Sequence, residues 1–195
     1  MASQVCTVRL LKRNMSVANE LNKEKLKGLI HEIAHATRDL PGFGRTKLYK
    51  VMWFFEAREY ALNGRVFSGA RYIRDQHGPR LHNYDKWFSE LENEGLIRRV
   101  DEPYYNRKIK RVQSIQAPRG GLLSAEQART LQYWINKVSG MTAGEISEES
   151  HDYGWEIISQ GDEIPLAAIL AERVRKPNAK ELEWARGRAK ELGRL

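Results

Sequence analysis

The sequence predicts an α+β, mainly α fold: a helical domain with a small antiparallel β-sheet and a winged-helix-like centre. Three observations predict it. Apolar residues recur at spacings of three and four in several segments. Short segments between them carry the glycines and prolines typical of strands and turns. The elements of residues 23–119 follow the order helix, helix, short strand, helix, hairpin, which is that of a winged helix.

The first half of the chain contains three predicted helices. Residues 23–38 and 83–94 each have one apolar face. The helix between them, residues 46–63, is expected to begin at the cap Thr46 and to end before Gly64. Because its apolar and aromatic residues spread around most of its circumference, this helix is predicted to be wrapped by the rest of the domain.

A short strand is expected at residues 71–74, and a reversal of the chain follows it. Proline fixes its own φ and disfavours the helical region for the residue before it. Gly78-Pro79 is therefore predicted to form the turn between this strand and the helix at 83–94. A glycine at position 78 also permits a positive φ there.

A hairpin is expected further along the chain. Residues 96–100 and 108–115 flank Asp101-Glu102-Pro103, a typical turn sequence. The two runs are predicted to pair as antiparallel strands.

Beyond a glycine hinge at residues 120–121 the chain is predicted to be helical. The start signals are the capping boxes of Ser124 with Gln127 and of Thr142 with Glu145, Pro165 before residues 166–172, and Asn178 with Glu181. The expected organisation is an N-terminal arm, residues 1–22, and one domain, residues 23–195. The domain divides into a winged-helix-like part, residues 23–119, and a helical part, residues 120–195.

Composition excludes several classes of protein. A chain of 195 residues can bury a core without disulfides or metals. The single cysteine, Cys6, cannot form an internal disulfide and indicates a reducing compartment. No apolar run has transmembrane length, and residues 1–8 lack the apolar region of a signal peptide. We therefore expect a cytoplasmic protein without a membrane partner. The chain also lacks a glycine-rich phosphate loop, a nucleophile elbow and a CxxC pair, so no cofactor is expected.

The net charge of +8 is unevenly distributed. Residues 96–119 contain seven Lys or Arg and two acids, whereas residues 141–171 contain seven acids and no Lys or Arg. A basic hairpin can bind the phosphate backbone of DNA, and the residues that would do so are Arg107, Lys108, Lys110 and Arg111. A winged-helix DNA-binding regulator is therefore one alternative function. The other interpretation is a solvated, charged surface.

A zinc site is the second alternative. His31, Glu32 and His35 fit the HExxH pattern, in which two imidazoles bind zinc and the glutamate activates water. The apolar stripe of the same helix predicts that both histidines lie on its exposed side. No third histidine follows at a suitable spacing, and the acids of the next helix, Glu56 and Glu59, fit no zinc-hydrolase pattern. We therefore predict no metal ligands and no catalytic residues.

One ordered set of short motifs extends through most of the chain. It comprises Lys47-Leu48 with Lys50, Gly69 before Tyr72, Gly78-Pro79, Glu94-Gly95-Leu96-Ile97, Met141-Thr142-Ala143, Ser150-His151, Gly154-Trp155 and Glu163-Ile164-Pro165. In this order the motifs resemble the Panacea domain, the SocA-like antitoxin family that also occurs in phage-associated genetic-element proteins. The resemblance extends from about Leu26 to about Leu192. Arg80 departs from it, because the family usually carries an aliphatic residue after Gly-Pro.

The resemblance implies an antitoxin of a type II toxin-antitoxin system rather than an enzyme. Such a protein binds its cognate toxin and neutralises it, or, in the SocA-like variant, delivers the toxin to a protease. We expect the partner to contact a loop next to the acidic segment 145–152. The expected partner-binding residues are Tyr72, Arg74, His77, Gly78, Pro79 and Arg80.

Overall fold

The computed structural model describes residues 20–174, 183, 186 and 187. The predicted arm, apart from its last residues, and the predicted helix beginning at Asn178, apart from three single residues, lie outside this part of the chain. The elements in chain order are α1 (Lys23–Ala36), α2 (Arg45–Asn63), β1 (Tyr72–Asp75), β2 (Gly78–Leu81), α3 (Tyr84–Asn93), β3 (Ile97–Tyr104), β4 (Arg107–Ser114), α4 (Ala125–Ser139), α5 (Ala143–Glu149), α6 (Tyr153–Ile157), β5 (Glu163–Ile164) and a 3₁₀ helix (Leu166–Val174). The predicted fold class, α+β and mainly α with small antiparallel sheets, is confirmed.

Helix α2 forms the centre of the fold. Helices α1, α4 and α5, strands β2 and β4 and the 3₁₀ helix all contact it, and most of its side chains between Lys47 and Glu59 are buried. Trp53 is 1% exposed and meets the ring of Tyr72 edge to face, with 5.1 Å between the ring centroids. The prediction that this helix is wrapped by its own domain is confirmed. It is the support against which the β1–β2 hairpin packs.

The ends of α2 differ in how well the sequence predicted them. Gly64 closes the helix with a φ of 63°, and its N–H donates to the carbonyl of Tyr60, as expected for a C-terminal glycine. The cap at the other end is Gly44, and no side chain caps the helix there. Thr46 therefore lies inside the first turn, and its prediction as the cap is wrong.

The strand predicted at residues 71–74 is present as β1, but the turn after it is not where it was predicted. Gln76 and His77 make the turn, and Gly78 and Pro79 are the first residues of β2, with Asp75 opposite Gly78 in the register. Gly78 has a φ of 87°. This glycine allows the chain to leave the tight turn and enter a strand directly.

The second hairpin is longer than its prediction. Residues 101–103 do not turn but belong to β3, and the reversal occurs at Tyr105 and Asn106. Pro103 is accommodated because β3 has only one neighbouring strand, so its missing N–H can face away from the ladder. Tyr105 has a φ of 51°, a left-handed conformation uncommon for a residue other than glycine.

The predicted winged-helix centre is not confirmed. Strand β1 lies between β2 and β5 in a three-stranded sheet, whereas β3 and β4 form a separate two-stranded sheet. Ile164 of β5 pairs with Tyr72, so a segment from the C-terminal part completes the sheet of the N-terminal part. That pairing connects two regions that lie on either side of the predicted glycine hinge.

Helices α4 and α5 begin where the capping patterns predicted. Both capping boxes are formed: the hydroxyls of Ser124 and Thr142 accept from the N–H groups of Gln127 and Glu145, whose side chains bind back to the cap N–H groups. The helix predicted after Pro165 is present as a 3₁₀ helix. No helix within the described residues is both long and apolar enough to cross a bilayer.

Candidate partner-binding site

Residues from three distant parts of the chain meet beneath the turn of the β1–β2 hairpin. We call Lys50, Gly78, Pro79, Ser150, His151 and Trp155 the motif cluster, because all six belong to the motifs noted in the sequence. Lys50 enters it from the buried side of α2 and is 2% exposed. Its Nζ donates to the carbonyl oxygen of Pro79 over 3.1 Å. Burial lowers the pKa of Lys50 to about 7, although Asp75 and Asp152 oppose this effect.

Gly78 allows the hairpin and the α5–α6 region to approach each other closely. A Cβ atom on this residue would lie 2.5 Å from the Lys50 Nζ and nearer still to the Ser150 hydroxyl. Ser150 is fully buried, and its hydroxyl donates to the carbonyl of Ser147 over 2.7 Å. Only a glycine at position 78 therefore permits this contact between segments more than 70 residues apart.

Trp155 contacts two side chains under the turn. The ring of His151 stacks on it with 3.7 Å between centroids and 9° between planes, and the Arg74 guanidinium lies 4.2 Å from the same ring. The indole N–H donates to the carbonyl of Asp75 over 3.1 Å. This bond ties α6 directly to the end of strand β1.

The turn is also fixed by an ion pair on its own strands. Arg80 pairs with Asp75 across the hairpin, and its guanidinium lies 5.2 Å from the ring of Tyr84. Burial alone would raise the pKa of Asp75, but the hydrogen bond and the charge of Arg80 outweigh this effect and lower it. Asp75 therefore remains a carboxylate in the neutral range.

Two buried nitrogen atoms beside Trp155 have no hydrogen-bond partner among the described residues. They are Nε of Arg74 and Nε2 of His151, although Nη1 of Arg74 donates to the carbonyl of Ile158 over 2.8 Å. Burial lowers the pKa of His151, and the nearby charges of Lys50 and Arg74 lower it further against the opposing effect of Glu148. The imidazole is thus kept neutral in a region that already holds two cations.

The residues predicted to bind a partner fall into three groups. Tyr72 is 0% exposed and packs in the core, so it cannot touch a partner in this structure. Gly78 and Pro79 are also buried. Arg74 and Arg80 are partly buried, whereas His77 is exposed together with Gln76. The residues that remain accessible are therefore those of the turn itself and the exposed parts of the two arginine side chains.

Comparison with known proteins adds one finding to this geometry. A model of the family "Antitoxin SocA-like, Panacea domain" matches residues 48–156, more than half of the chain.

The chain belongs to this family. No curated protein and no solved structure gives a significant match. Membership supports an antitoxin role and implies a protein partner.

The part of the Panacea domain that the family model matches contains the whole motif cluster. It extends from α2 to α6 and includes both hairpins. It is shorter than the span from Leu26 to Leu192 over which the sequence showed the resemblance. Strand β5 and the 3₁₀ helix lie after it, and β5 completes the sheet that carries the hairpin.

Sequence reasoning did not identify Lys50, Ser150, His151 and Trp155 as one site of the Panacea domain. Each was part of a motif, but about 100 residues separate Lys50 from the other three. No local pattern reports that α2 and the α5–α6 region share a neighbour. The available signal was the ordered motif set itself, which contains all four.

The HExxH segment has a structural role in this Panacea domain, and the prediction that both histidines are exposed is wrong. His31 is 5% exposed, and its Nε2 lies 2.8 Å from the carbonyl oxygen of Gln116 and 3.2 Å from the Ser114 hydroxyl. The second face of α1 is covered by β4, which the apolar stripe could not reveal. His35 is partly buried, and Arg38 donates to it over 2.9 Å. The described residues contain no group of three or more His, Cys, Asp or Glu able to hold a metal ion.

The two acids of the next helix, Glu56 and Glu59, also have structural roles. Glu56 is 0% exposed, and its carboxylate accepts from the backbone N–H groups of Phe67 and Ser68 and from the Ser68 hydroxyl. Burial raises the pKa of Glu56, against the effect of these bonds. Glu59 accepts from the Gln127 side chain over 2.7 Å. Glu56 thereby fixes the loop that leads from α2 to β1.

The basic hairpin offers fewer free cations than its sequence suggests. Arg111 is 6% exposed, pairs with Glu102 over 2.6 Å and donates to the carbonyl of Thr37 over 2.9 Å. Lys108 and Lys110 are exposed, and the side chain of Arg107 lies outside the described part of the structure. Arg111 is therefore committed to holding the hairpin against the end of α1, and it is not available to a phosphate backbone.

Proposed function

We propose that this protein is an antitoxin that neutralises a cognate toxin by direct contact. The contact surface consists of the turn residues Gln76 and His77 together with the exposed parts of the Arg74 and Arg80 side chains. We call it the tip surface. Family membership is the observation that carries the antitoxin role. The proposal involves no chemical step on the toxin, since occlusion of the toxin's active region is sufficient.

The choice of the tip surface rests on how rigidly it is supported. The Lys50–Pro79 bond, the Trp155–Asp75 bond and the Arg80–Asp75 ion pair all fix the backbone just below the turn. A preorganised surface loses little conformational entropy when it binds. Recognition residues are often found on loops held by such a scaffold.

Charges of both signs border the tip surface. Glu148 and Glu149 are exposed at the end of α5, and Ser150, the next residue, lies against Gly78. Arg74 lies against Trp155 of α6, and Arg80 pairs with Asp75 across the hairpin. A toxin with a complementary arrangement of acidic and basic residues would be selected over one with a single sign of charge.

Growth assays test the antitoxin role. Each small reading frame next to this gene is expressed alone and together with the protein. We expect one frame to stop growth alone and to be harmless in the pair. Failure to find any toxic neighbour that the protein rescues would overturn the antitoxin role.

Matched variants test the surface. Gln76→Glu with His77→Glu adds two carboxylates at the exposed turn, and Arg129→Glu on α4 changes the net charge equally at another exposed position. We expect the first variant to lose rescue and the second to keep it. Burying carboxylates in a contact that offers them no partners is costly. Equal rescue by both variants would exclude the tip surface.

The lifetime of the toxin separates neutralisation by occlusion from delivery to a protease. Under occlusion, the toxin accumulates at a normal rate in rescued cells. If rescue requires a protease and the toxin disappears within minutes of synthesis, the protein is an adaptor. We propose occlusion, because the tip surface provides one contact face and the adaptor role requires a second.

Duplex DNA is not proposed as the partner. Of the four residues predicted to bind it, Arg111 is buried in contacts within the protein. We expect only weak binding through Lys108 and Lys110, without sequence preference and lost as salt rises. A specific duplex bound tightly at physiological salt would favour the regulator instead.

A further inference from the structure

A cleft lies between three segments of the chain, away from the motif cluster. The α1–α2 loop, the end of the β3–β4 hairpin and the α4–α5 loop form its walls, and its volume is about 640 Å³. The lining contains many small residues, among them Gly42, Gly44 and Gly140. Small side chains leave the backbone accessible and give the cleft its depth.

The charged residues that line this cleft are all basic. Arg45, Lys47, Lys108 and Lys110 line it, and no Asp or Glu does. The guanidinium of Arg45 lies over the ring of Tyr84, with 4.7 Å to the centroid. The three ammonium groups are therefore the cations that remain for a ligand.

Lys47 is the most informative of the three lysines. It is 9% exposed, and its Nζ donates to the carbonyl oxygen of Ser139 over 3.1 Å. Within the described residues no carboxylate lies within ion-pair distance of it. Burial lowers the pKa of this amine. A buried ammonium without a counterion is costly, and an anion in the cleft would supply the missing charge.

Lys108 and Lys110 also line the cleft. Both are exposed residues of β4, and alternation along the strand places them on one face. Asp101 lies opposite Lys110 in the register, and the two form no ion pair. Two exposed lysines therefore line the same cleft as the buried one, and none of the three forms an ion pair with another described residue.

An aromatic pair stands at the hairpin end of the cleft. Tyr104 packs over Gly42, where a Cβ atom would lie 2.5 Å from its ring, and meets Tyr105 edge to face at 4.7 Å. Tyr105 is 89% exposed in spite of its size, and its left-handed backbone is a strained conformation for this residue type. The turn therefore presents an open aromatic ring at the edge of the cleft.

We propose that this cleft binds a nucleoside polyphosphate, with the phosphates on Lys47, Lys108 and Lys110 and the base against the ring of Tyr105. Phosphate is an anion that several ammonium groups can share, and an exposed tyrosine face stacks on a base. The volume falls within the roughly 300–1,000 Å³ of small-ligand sites and is suited to one nucleotide. The site lies outside the surface proposed for the toxin and does not depend on it.

Calorimetric titration of the full chain with ATP, and separately with inorganic triphosphate, tests this proposal. We expect ATP to bind, and Lys108→Ala with Lys110→Ala to weaken it by about tenfold or more, since each removes a charge-assisted contact. The matched control is Lys23→Ala with Lys86→Ala, two exposed lysines that do not line the cleft. Equal losses in both double variants, or no binding of ATP to the wild type, would overturn the proposal.

The Tyr105→Ala variant distinguishes binding of a nucleotide from binding of phosphate groups alone. We expect it to weaken ATP severalfold and to leave inorganic triphosphate unchanged, because only the base meets the ring. If triphosphate binds as tightly as ATP and Tyr105→Ala affects neither, the nucleoside part of the proposal is wrong. A single-stranded RNA of ten nucleotides that binds far more tightly than ATP and displaces it would assign the cleft to nucleic acid instead.

Discussion

The Nζ of Lys50 lies 3.1 Å from the carbonyl oxygen of Pro79, so a buried lysine in the core helix α2 holds the strand that carries the proposed contact surface. An ammonium in this position faces a carbonyl dipole and two carboxylates at longer range, Asp75 and Asp152. The pKa near 7 means that the charge of Lys50 changes in the neutral range.

The stability of the protein should therefore depend on pH through Lys50. Below pH 7 the folded and unfolded states both hold the proton, and the full cost of burying the charge is present. Between pH 7 and the ordinary lysine pKa of 10.5 the unfolded state holds more protons, so the free energy of unfolding rises with pH. The rise is at most about 1.4 kcal/mol per pH unit.

Urea unfolding of the wild type and Lys50→Met at pH 6.5, 8 and 9.5 measures this effect. We expect the wild type to gain stability relative to the variant across the series. Lys86→Met, at an exposed position, should show a constant difference from the wild type. A constant difference for Lys50→Met as well would show that its pKa is not lowered.

Substitutions at two glycines distinguish the cost of backbone strain from the cost of steric overlap. Gly64 and Gly78 both have positive φ, but a Cβ would meet nothing within 4 Å at Gly64 and would collide with Ser150 and Lys50 at Gly78. We expect Gly64→Ala to cost about 1 kcal/mol and Gly78→Ala at least about twice as much. Thermal unfolding measures both. Equal losses would mean that the α5–α6 region does not pack against the hairpin as described.

Glu56 should be essential for the loop before β1. Glu56→Ala removes the acceptor of the N–H groups of Phe67 and Ser68 and leaves both buried donors without a partner. We expect a loss of roughly 2–4 kcal/mol in the free energy of unfolding. Glu24→Ala, at an exposed position on α1, should change it by less than about 0.5 kcal/mol. Similar effects of the two substitutions would contradict the role of Glu56.

His31 should contribute to stability and not to metal binding. His31→Ala loses the contact with the carbonyl of Gln116, at an expected cost of about 1–2 kcal/mol. Protein purified without added zinc should contain well under one equivalent of the metal. Stoichiometric zinc that disappears in His31→Ala with His35→Ala would contradict this assignment.

The sequence predicted the helices and strands better than it predicted which of them pack together. The capping boxes at Ser124 and Thr142 and the stop at Gly64 are local patterns, and all three are present. The turns were less predictable. Asp101-Glu102-Pro103 has turn composition but lies within β3, because pairing along eight residues outweighs local preference.

The remaining wrong predictions concern residues whose contacts are made by segments distant in the sequence. His31 was expected at the surface because the apolar stripe of α1 lies elsewhere, yet β4 covers it. Tyr72 was expected to face a partner, yet β5 and Trp53 enclose it. In both cases the covering element lies far along the chain. A periodic pattern identifies one buried face of an element and gives no information about a second.

The affinity of the purified toxin for the tip surface tests the central claim most directly. Once the rescued toxin is identified, its Kd for the wild type, for Gln76→Glu with His77→Glu, and for Arg129→Glu is measured by calorimetry. We predict that the tip variant raises the Kd by about a hundredfold, a change of about 2.7 kcal/mol, and that Arg129→Glu leaves it within about twofold. A Kd for the tip variant equal to that of the wild type would show that the toxin binds elsewhere.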